Sequence, residues 1–391
     1  MIERVILFVL DSVGIGALPD AEKFGDIGVN TLGSIAKATE DFKIPNLIKM
    51  GLGNIEGVDY LEKADQPIGA FGRSLEASNG KDTTTGHWEI AGLFIEQAFK
   101  TYPDGFPSHI IDVFEDKIGR KILCNKPASG TVVLEELGEL HMKTGQPIVY
   151  TSADSVFQIA AHEDIIPLES LYEMCQIARD MLVGDDQVAR VIARPFVGTP
   201  GNFQRTSNRR DYSIKPFDKT VLDHAKEAGL DVRAVGKIVD IYDGEGITHD
   251  IHTKDNMDGV DQTLNYMKDS FKGILFSNLV DFDAKFGHRR DISGYQKALE
   301  EVDARLPELM DAMKPTDLLI VMADHGNDPG YKGSDHTREY IPILVYGDQV
   351  KAGVDIGTRK TFADIAATVS DVLGIQATPY GTSFKTEILN S

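Results

Sequence analysis

Leu318-Leu319-Ile320-Val321-Met322-Ala323-Asp324-His325-Gly326-Asn327 is the stretch that decides how this chain folds. Its short apolar run reads as a strand buried on both faces, as in a parallel sheet covered by helices. The Asp-His pair stands at the strand's carboxyl end. A buried strand leaves such a pair at its tip only when the charge has a partner, and a divalent cation is the usual solution.

The same arrangement recurs along the chain. The apolar run 5–10 ends in Asp11, and the run 274–280 leads into Asp281-Phe282-Asp283-Ala284-Lys285-Phe286-Gly287-His288. Ser334-Asp335-His336-Thr337 follows the first stretch after a short loop. With Thr83, this gives Asp11, Thr83, Asp283, His288, Asp324, His325 and His336 as candidate metal ligands. Carboxylates and imidazoles in this ratio suit zinc or manganese, and two clusters suggest two ions. Such a cluster points to phosphoryl transfer.

Short apolar runs alternate with helix-like segments, the pattern of a mainly parallel sheet with helices on both faces. Runs 5–10, 274–280, 318–323 and 341–346 read as strands of that sheet. Segment 292–313 carries Ala298, Leu299, Val302, Leu306 and Leu309 at helical spacing, and 361–373 reads as a final helix. The candidate ligands follow strand ends, where open α/β sheets bind their ligands. Between residues 98 and 216 Pro, Gly and basic residues become denser and no ligand of this pattern occurs. That segment is expected to be an inserted α+β cap domain, with 1–97 and 217–391 forming one discontinuous catalytic core. A single large domain with long loops is the plain alternative.

At 391 residues, with 42% hydrophobic and 26% charged residues, the chain is long enough for two or three soluble domains. No apolar stretch approaches the roughly 20 residues that span a bilayer. The opening Met1-Ile2-Glu3-Arg4-Val5 lacks the layout of a secretory signal, and the expectation is a cytoplasmic protein. With only Cys124 and Cys175, neither a disulfide framework nor a cysteine metal site is supported. A net charge of -21 argues against a nucleic-acid partner. Divalent cations among Asp11, Asp283 and Asp324 would offset part of that charge locally.

Each piece has a plainer reading beside the functional one. Gly14-Ile15-Gly16 after the first strand suggests a dinucleotide loop, but Pro19 stands where the third glycine belongs. Gly80-Lys81 resembles part of a P-loop, yet Leu75 replaces its first glycine. In Asp82-Thr83-Thr84-Thr85-Gly86-His87 the threonines could simply cap a helix. Alternatively, Thr83 is a nucleophile at a loop-to-helix junction, its hydroxyl deprotonated by a metal and a helix-start N–H ready for phosphate oxygens. Asp281 competes with Asp283, which is preferred because it lies deeper in the turn. Arg289 and Arg290 would pair with neighbouring acids or neutralise a phosphate.

Taken together, segments 8–16, 80–90, 190–196, 239–246, 278–291 and 323–342 resemble the alkaline phosphatase superfamily and, within it, the phosphopentomutase family. The likeness runs over nearly the whole chain. It implies an alkaline-phosphatase-like metal-binding core with an inserted cap. Asp11, Thr83, Asp324 and His325 would hold the ion that activates the nucleophile, and Asp283, His288 and His336 the second. Thr83 would become phosphorylated. The implied reaction interconverts ribose 1-phosphate and ribose 5-phosphate, and their 2-deoxy equivalents, with two Mn2+ ions. Glucose 1,6-bisphosphate or a pentose bisphosphate would act as activator. Arg190, Arg205 and Lys237 would clamp the phosphate that is not transferred, and Ser152 and Asp154 would contact sugar hydroxyls. Small-molecule sugar phosphates are the expected partners, with neither nucleic acid nor membrane, and the expected state is a monomer.

A phosphatase or phosphodiesterase would use the same metal site, and the cap favours a mutase because it can exclude water. A cofactor-independent phosphoglycerate mutase would show Asn-Ser-Glu-Val-Gly-His in place of residues 82–87. A non-catalytic metal-binding scaffold would leave Thr83 without a task.

Overall fold

Residues Arg4–Leu10, RVILFVL, form a strand buried along its whole length. Its apolar run from residue 5 to residue 10 places it at the centre of a sheet whose two faces are both covered. The computed structural model describes residues 1–39, 41–152 and 154–390. In chain order its strands are β1 (Arg4–Leu10), β2 (Ala70–Ser74), β3 (Leu123–Pro127), β4 (Ile148–Thr151), β5 (Val156–His162), β6 (Arg190–Thr199), β7 (Asn202–Arg205), β8 (Arg210–Ser213), β9 (Asp231–Val235), β10 (His249–Ile251), β11 (Gly273–Leu279), β12 (Asp317–Met322), β13 (Ile341–Tyr346) and β14 (Asp355–Arg359). The helices are α1 (Thr31–Ala38), α2 (Pro45–Met50), α3 (Thr83–Ile90), α4 (Ser108–Ile118), α5 (Gly130–Thr144), α6 (Leu168–Met181), α7 (Val221–Glu227), α8 (Ile238–Ile241), α9 (Asn256–Lys268), α10 (Ile292–Asp311), α11 (Ala363–Leu373) and α12 (Lys385–Ile388). The chain divides into two units, Met1–Ala98 with Pro216–Ser391, and Phe99–Lys215.

The first unit holds an eight-stranded sheet in the order β10-β9-β11-β1-β12-β13-β2-β14. Strands β10, β9, β11, β1 and β12 run parallel. β13 is antiparallel to both β12 and β2, and β14 returns to parallel pairing with β2. The run 341–346 is therefore a strand, but one that reverses direction within an otherwise parallel sheet. The helices pack in two groups: α10 with α1, α2 and α9, and α11 with α3, α7 and α12. A mainly parallel sheet with helices on both faces is the α/β architecture of this unit.

Parallel pairing brings four strand ends side by side. β1 lies between β11 and β12, with Leu10 opposite Leu279 and Val9 opposite Met322. Asp11, Asp283 and Asp324 therefore emerge at one edge, and β9, beside β11, leads to Lys237.

The second unit is built on a mixed sheet, β3-β4-β5-β6-β7, with β8 paired to β6. Alternate residues of β5 face opposite ways, as a strand requires. Phe157, Ile159 and Ala161 join Phe106, Phe114, Leu171 and Cys175 in one apolar cluster. Ala160 joins Val133, Leu134, Ile148, Tyr150 and Phe196 in another. Helices α4 and α6 thus cover one face and α5 the other, an α+β arrangement.

Candidate metal and phosphoryl-transfer site

At the carboxyl edge of the first unit's sheet, Asp11, Asp324 and His325 offer ligand atoms all within 4.8 Å of one another, as do Asp283, His325 and His336. His325 Nε2 lies 3.4 Å from Asp11 Oδ1, 3.3 Å from Asp324 Oδ2 and 3.2 Å from the Thr83 hydroxyl. His336 Nε2 is 3.3 Å from Asp283 Oδ1, and His288 Nε2 is 3.1 Å from Asp283 Oδ2. The His288 and His336 Nε2 atoms stand 3.1 Å apart.

Local sequence explains how each group is held. Ser12 turns the chain after β1 at φ 67°, and its amide donates to Asp324 Oδ1 at 3.0 Å. Asn278 Nδ2 donates to Asp11 Oδ2 at 2.9 Å, and Asn327 Nδ2 donates to Asp283 Oδ1 at 2.7 Å. Residues Phe282–Gly287 form a single π-turn that carries Asp283, a wide turn of the kind frequent at functional sites. Asp281 is turned to other work: it accepts from the Asn256 amide and pairs with Lys285.

Thr83 opens α3, which Asp82 caps by accepting from the amides of Thr84 and Thr85. Those two N–H groups already donate to a carboxylate, so the helix-start amide expected to receive phosphate is not supplied by either. Arg290 also differs from the expectation that it pairs with acids or phosphate. It donates to the carbonyls of Gly287, Gly333 and Asp335 and to Asn327 Oδ1, fastening the loop before His336.

The donor set fits divalent cations. Asp11 Oδ1 and Asp324 Oδ2 are buried and, among the described residues, accept no well-aligned hydrogen bond. His288 Nδ1 lies 2.6 Å from the Ser334 carbonyl and His325 Nδ1 2.9 Å from that of Gly326. Each Nδ1 faces a carbonyl acceptor and so carries a hydrogen, which leaves Nε2 as the atom that would meet an ion once its own proton is displaced, as metal-ligating histidines require. Electrostatics agree. Burial, then the charges of Asp324 and Asp283, raise the Asp11 carboxyl well above its ordinary range, against the pull of His325 and Lys237. Burial would raise Asp283 too, but the imidazoles of His336 and His288 hold it well below. Clustered buried carboxylates need positive charge, which the imidazoles supply in part and two ions would supply in full.

The comparisons with known proteins agree with this chemistry. The profile of the Metalloenzyme superfamily matches residues 3–377. A phosphopentomutase of Alkaliphilus metalliredigens is 65% identical over 389 residues, covering 100% of both chains. Another, of Clostridioides difficile, is 62% identical over 387 residues, covering 98% of this chain and 99% of its own. The chain belongs to the phosphopentomutase family. A solved phosphoglycerate mutase of Leishmania mexicana shares the fold with a TM-score of 0.50 at 11% identity, covering 100% of this chain and 98% of that one. The likeness is one of fold alone.

As a phosphopentomutase-family member the chain is an isomerase of a metalloenzyme superfamily. Lys237 lies in the first unit and acts electrostatically on Asp11. Ser152, Asp154, Arg190 and Arg205 lie in the second unit. There, Ser152 Oγ accepts the Asp154 amide at 3.3 Å, and Arg190 pairs with Asp211 at 3.3 Å. Arg205 spreads over the start of α5, where a Cβ on Gly130 would meet its Nη2 at 1.6 Å and the Tyr150 hydroxyl at 2.6 Å. As placed, that guanidinium occupies the space a Cβ at position 130 would take. Sequence reasoning passed over His87, Asn278 and Asn327, the polar groups touching the ligands.

Proposed function

We propose that this phosphopentomutase-family chain interconverts ribose 1-phosphate and ribose 5-phosphate, and the 2-deoxyribose equivalents, through a phosphothreonine at position 83. The observation that carries the reading is the Thr83 hydroxyl lying 3.2 Å from His325 Nε2, beside Asp11 and Asp324, at the start of a helix. Asp11, Thr83, Asp324 and His325 would hold one ion and Asp283, His288 and His336 the other. Mn2+ suits this mixture of carboxylate and imidazole. When bound, two such ions lower the hydroxyl's pKa and neutralise charge on entering and leaving oxygens.

The protein's own part follows from its residues. Thr83 enters the cycle phosphorylated, primed by glucose 1,6-bisphosphate or a pentose bisphosphate. Its phosphoryl group passes to the free hydroxyl of the bound sugar phosphate, giving a bisphosphate. The bisphosphate then returns its other phosphoryl group to Thr83 and leaves the isomeric product. Arg190, Arg205 and Lys237 would take the phosphate that stays on the sugar, arginine being suited to bidentate recognition. Ser152 and Asp154 would take sugar hydroxyls. Among the described residues no helix is long and apolar enough to cross a membrane. The proposed partners are small-molecule sugar phosphates and the proposed place is the cytoplasm.

Intact-mass measurement tests the carrier. With Mn2+ and glucose 1,6-bisphosphate, the wild-type protein should gain one phosphoryl group and Thr83→Ala none. Equal labelling of both proteins would remove Thr83 from the role.

A further inference from the structure

His87 sits one turn after Thr83 on α3 and is fully buried. Its Nδ1 lies 2.9 Å from the Thr83 carbonyl oxygen and 3.0 Å from Asp324 Oδ2. Both neighbours are acceptors, so Nδ1 carries the hydrogen, which it donates to the Thr83 carbonyl while facing the Asp324 carboxylate at 3.0 Å. Nε2 is buried and has no hydrogen-bond partner among the described residues. An unpartnered buried nitrogen is costly, and an aliphatic or phenyl side chain would fill the same space without it. Packing therefore does not explain the choice of histidine.

Other contacts hold the residue and its helix. The ring stacks on Phe276 at 5.8 Å between centroids, and the residue's carbonyl accepts from the Tyr242 hydroxyl at 2.5 Å. The next residue, Trp88, donates from Nε1 to the Ile241 carbonyl at 3.1 Å. Helix α8, which begins just after Lys237, thus grips the nucleophile's helix from one side. His87 binds that helix to the end of β12 from the other.

We propose that His87 is a positioning residue whose Nδ1–H ties the main chain of Thr83 to the Asp324 carboxylate, so that hydroxyl and carboxylate keep one spacing toward a shared ion. It rests on the reading of Thr83 as phosphoryl carrier and Asp324 as metal ligand.

Asparagine and glutamine separate this role from simple packing. In His87→Asn the amide nitrogen can occupy the place of Nδ1. In His87→Gln the amide reaches the place of Nε2, where the protein has no partner to offer. Mn2+ affinity of the metal-stripped full-length variants is measured by calorimetry, alongside melting temperature and Thr83 phosphorylation by glucose 1,6-bisphosphate. His87→Asn should bind Mn2+ much as wild type does, whereas His87→Gln should lose about 10–100-fold, the range for outer-shell partners of metal ligands. Glutamine is closer to histidine in volume, so a packing role predicts the reverse order. Equal affinities in the two variants, or a better glutamine variant, would overturn the proposal.

If neither variant folds, nitrogen NMR of the wild-type histidines decides. A His87 ring protonated at Nδ1 alone supports the proposal, and a hydrogen on Nε2 contradicts it. Failure of the wild-type protein to become phosphorylated would instead count against the carrier reading, whatever the variants do.

Discussion

A Cβ placed on Gly86 would stand 2.0 Å from the carbonyl oxygen of Asp324, so the nucleophile's helix rests directly on the main chain of a metal-ligand strand end. No other residue permits that approach. Gly86→Ala should force α3 off β12, destabilising the protein by about 1–3 kcal/mol as overpacking does. A shift of ~1 Å between reacting groups lowers turnover about 100-fold. Steady-state kinetics and thermal melting check this together; an alanine variant with wild-type kcat would show that the contact does not set the site.

Arg338 holds the loop that leads to Thr83. Buried almost completely, it pairs with Glu76 at 2.9 Å and Asp20 at 3.1 Å and donates to the carbonyls of Ser78 and Gly80 at 2.8 and 2.6 Å. Burial raises the Glu76 carboxyl, and Arg338 opposes that rise. Arg338→Met would leave a buried acid without its cation, a loss of about 3–5 kcal/mol. Urea unfolding measures it. A loss below about 1 kcal/mol, the range of exposed pairs, would contradict the buried-pair account.

Much of the architecture was readable because burial leaves a plain mark. Arg4–Leu10, Gly273–Leu279 and Asp317–Met322 are buried, mostly apolar strands, and each is followed by acids or histidines that would be unfavourable there without a purpose. Strand direction left no such mark. Ile341–Tyr346 is as apolar as its neighbours, and a strand buried on both faces has the same composition whichever way it runs. The supporting polar groups were hidden for another reason. Asn327 reaches Asp283, and Asn278 reaches Asp11, across long stretches of chain. Local spacing carries no trace of such bonds. On α3 the helix cap is Asp82 and not a threonine, because an aspartate serves that position at least as well.

Metal binding should release protons. Burial lowers the affinity of His325 for a proton, but the charges of Asp324, Asp11 and Asp283 outweigh it and push its pKa up to about 9. At neutral pH the metal-free protein thus carries a proton where an ion would bind. Mn2+ affinity should therefore climb as pH rises toward 9 and fall in acid. Calorimetry in buffers with different ionisation heats would reveal the released proton, and identical heats in all buffers would refute it.

The same shift governs the stability of the metal-free protein. His325 has a folded pKa above the 6.5 of an ordinary imidazole, so its stabilising contribution is complete below 6.5 and is lost as pH rises through about 9. His325→Asn should flatten the fall in urea midpoint across that window. An unchanged slope would place the pH dependence elsewhere.

The most direct test of the central claim follows phosphorus. With Mn2+, a trace of glucose 1,6-bisphosphate and ribose 1-phosphate, phosphorus NMR should show ribose 5-phosphate accumulating without free phosphate. Thr83→Ala should abolish that conversion while still binding metal. Stoichiometric release of inorganic phosphate by the wild-type protein would contradict the mutase account and make the chain a phosphatase.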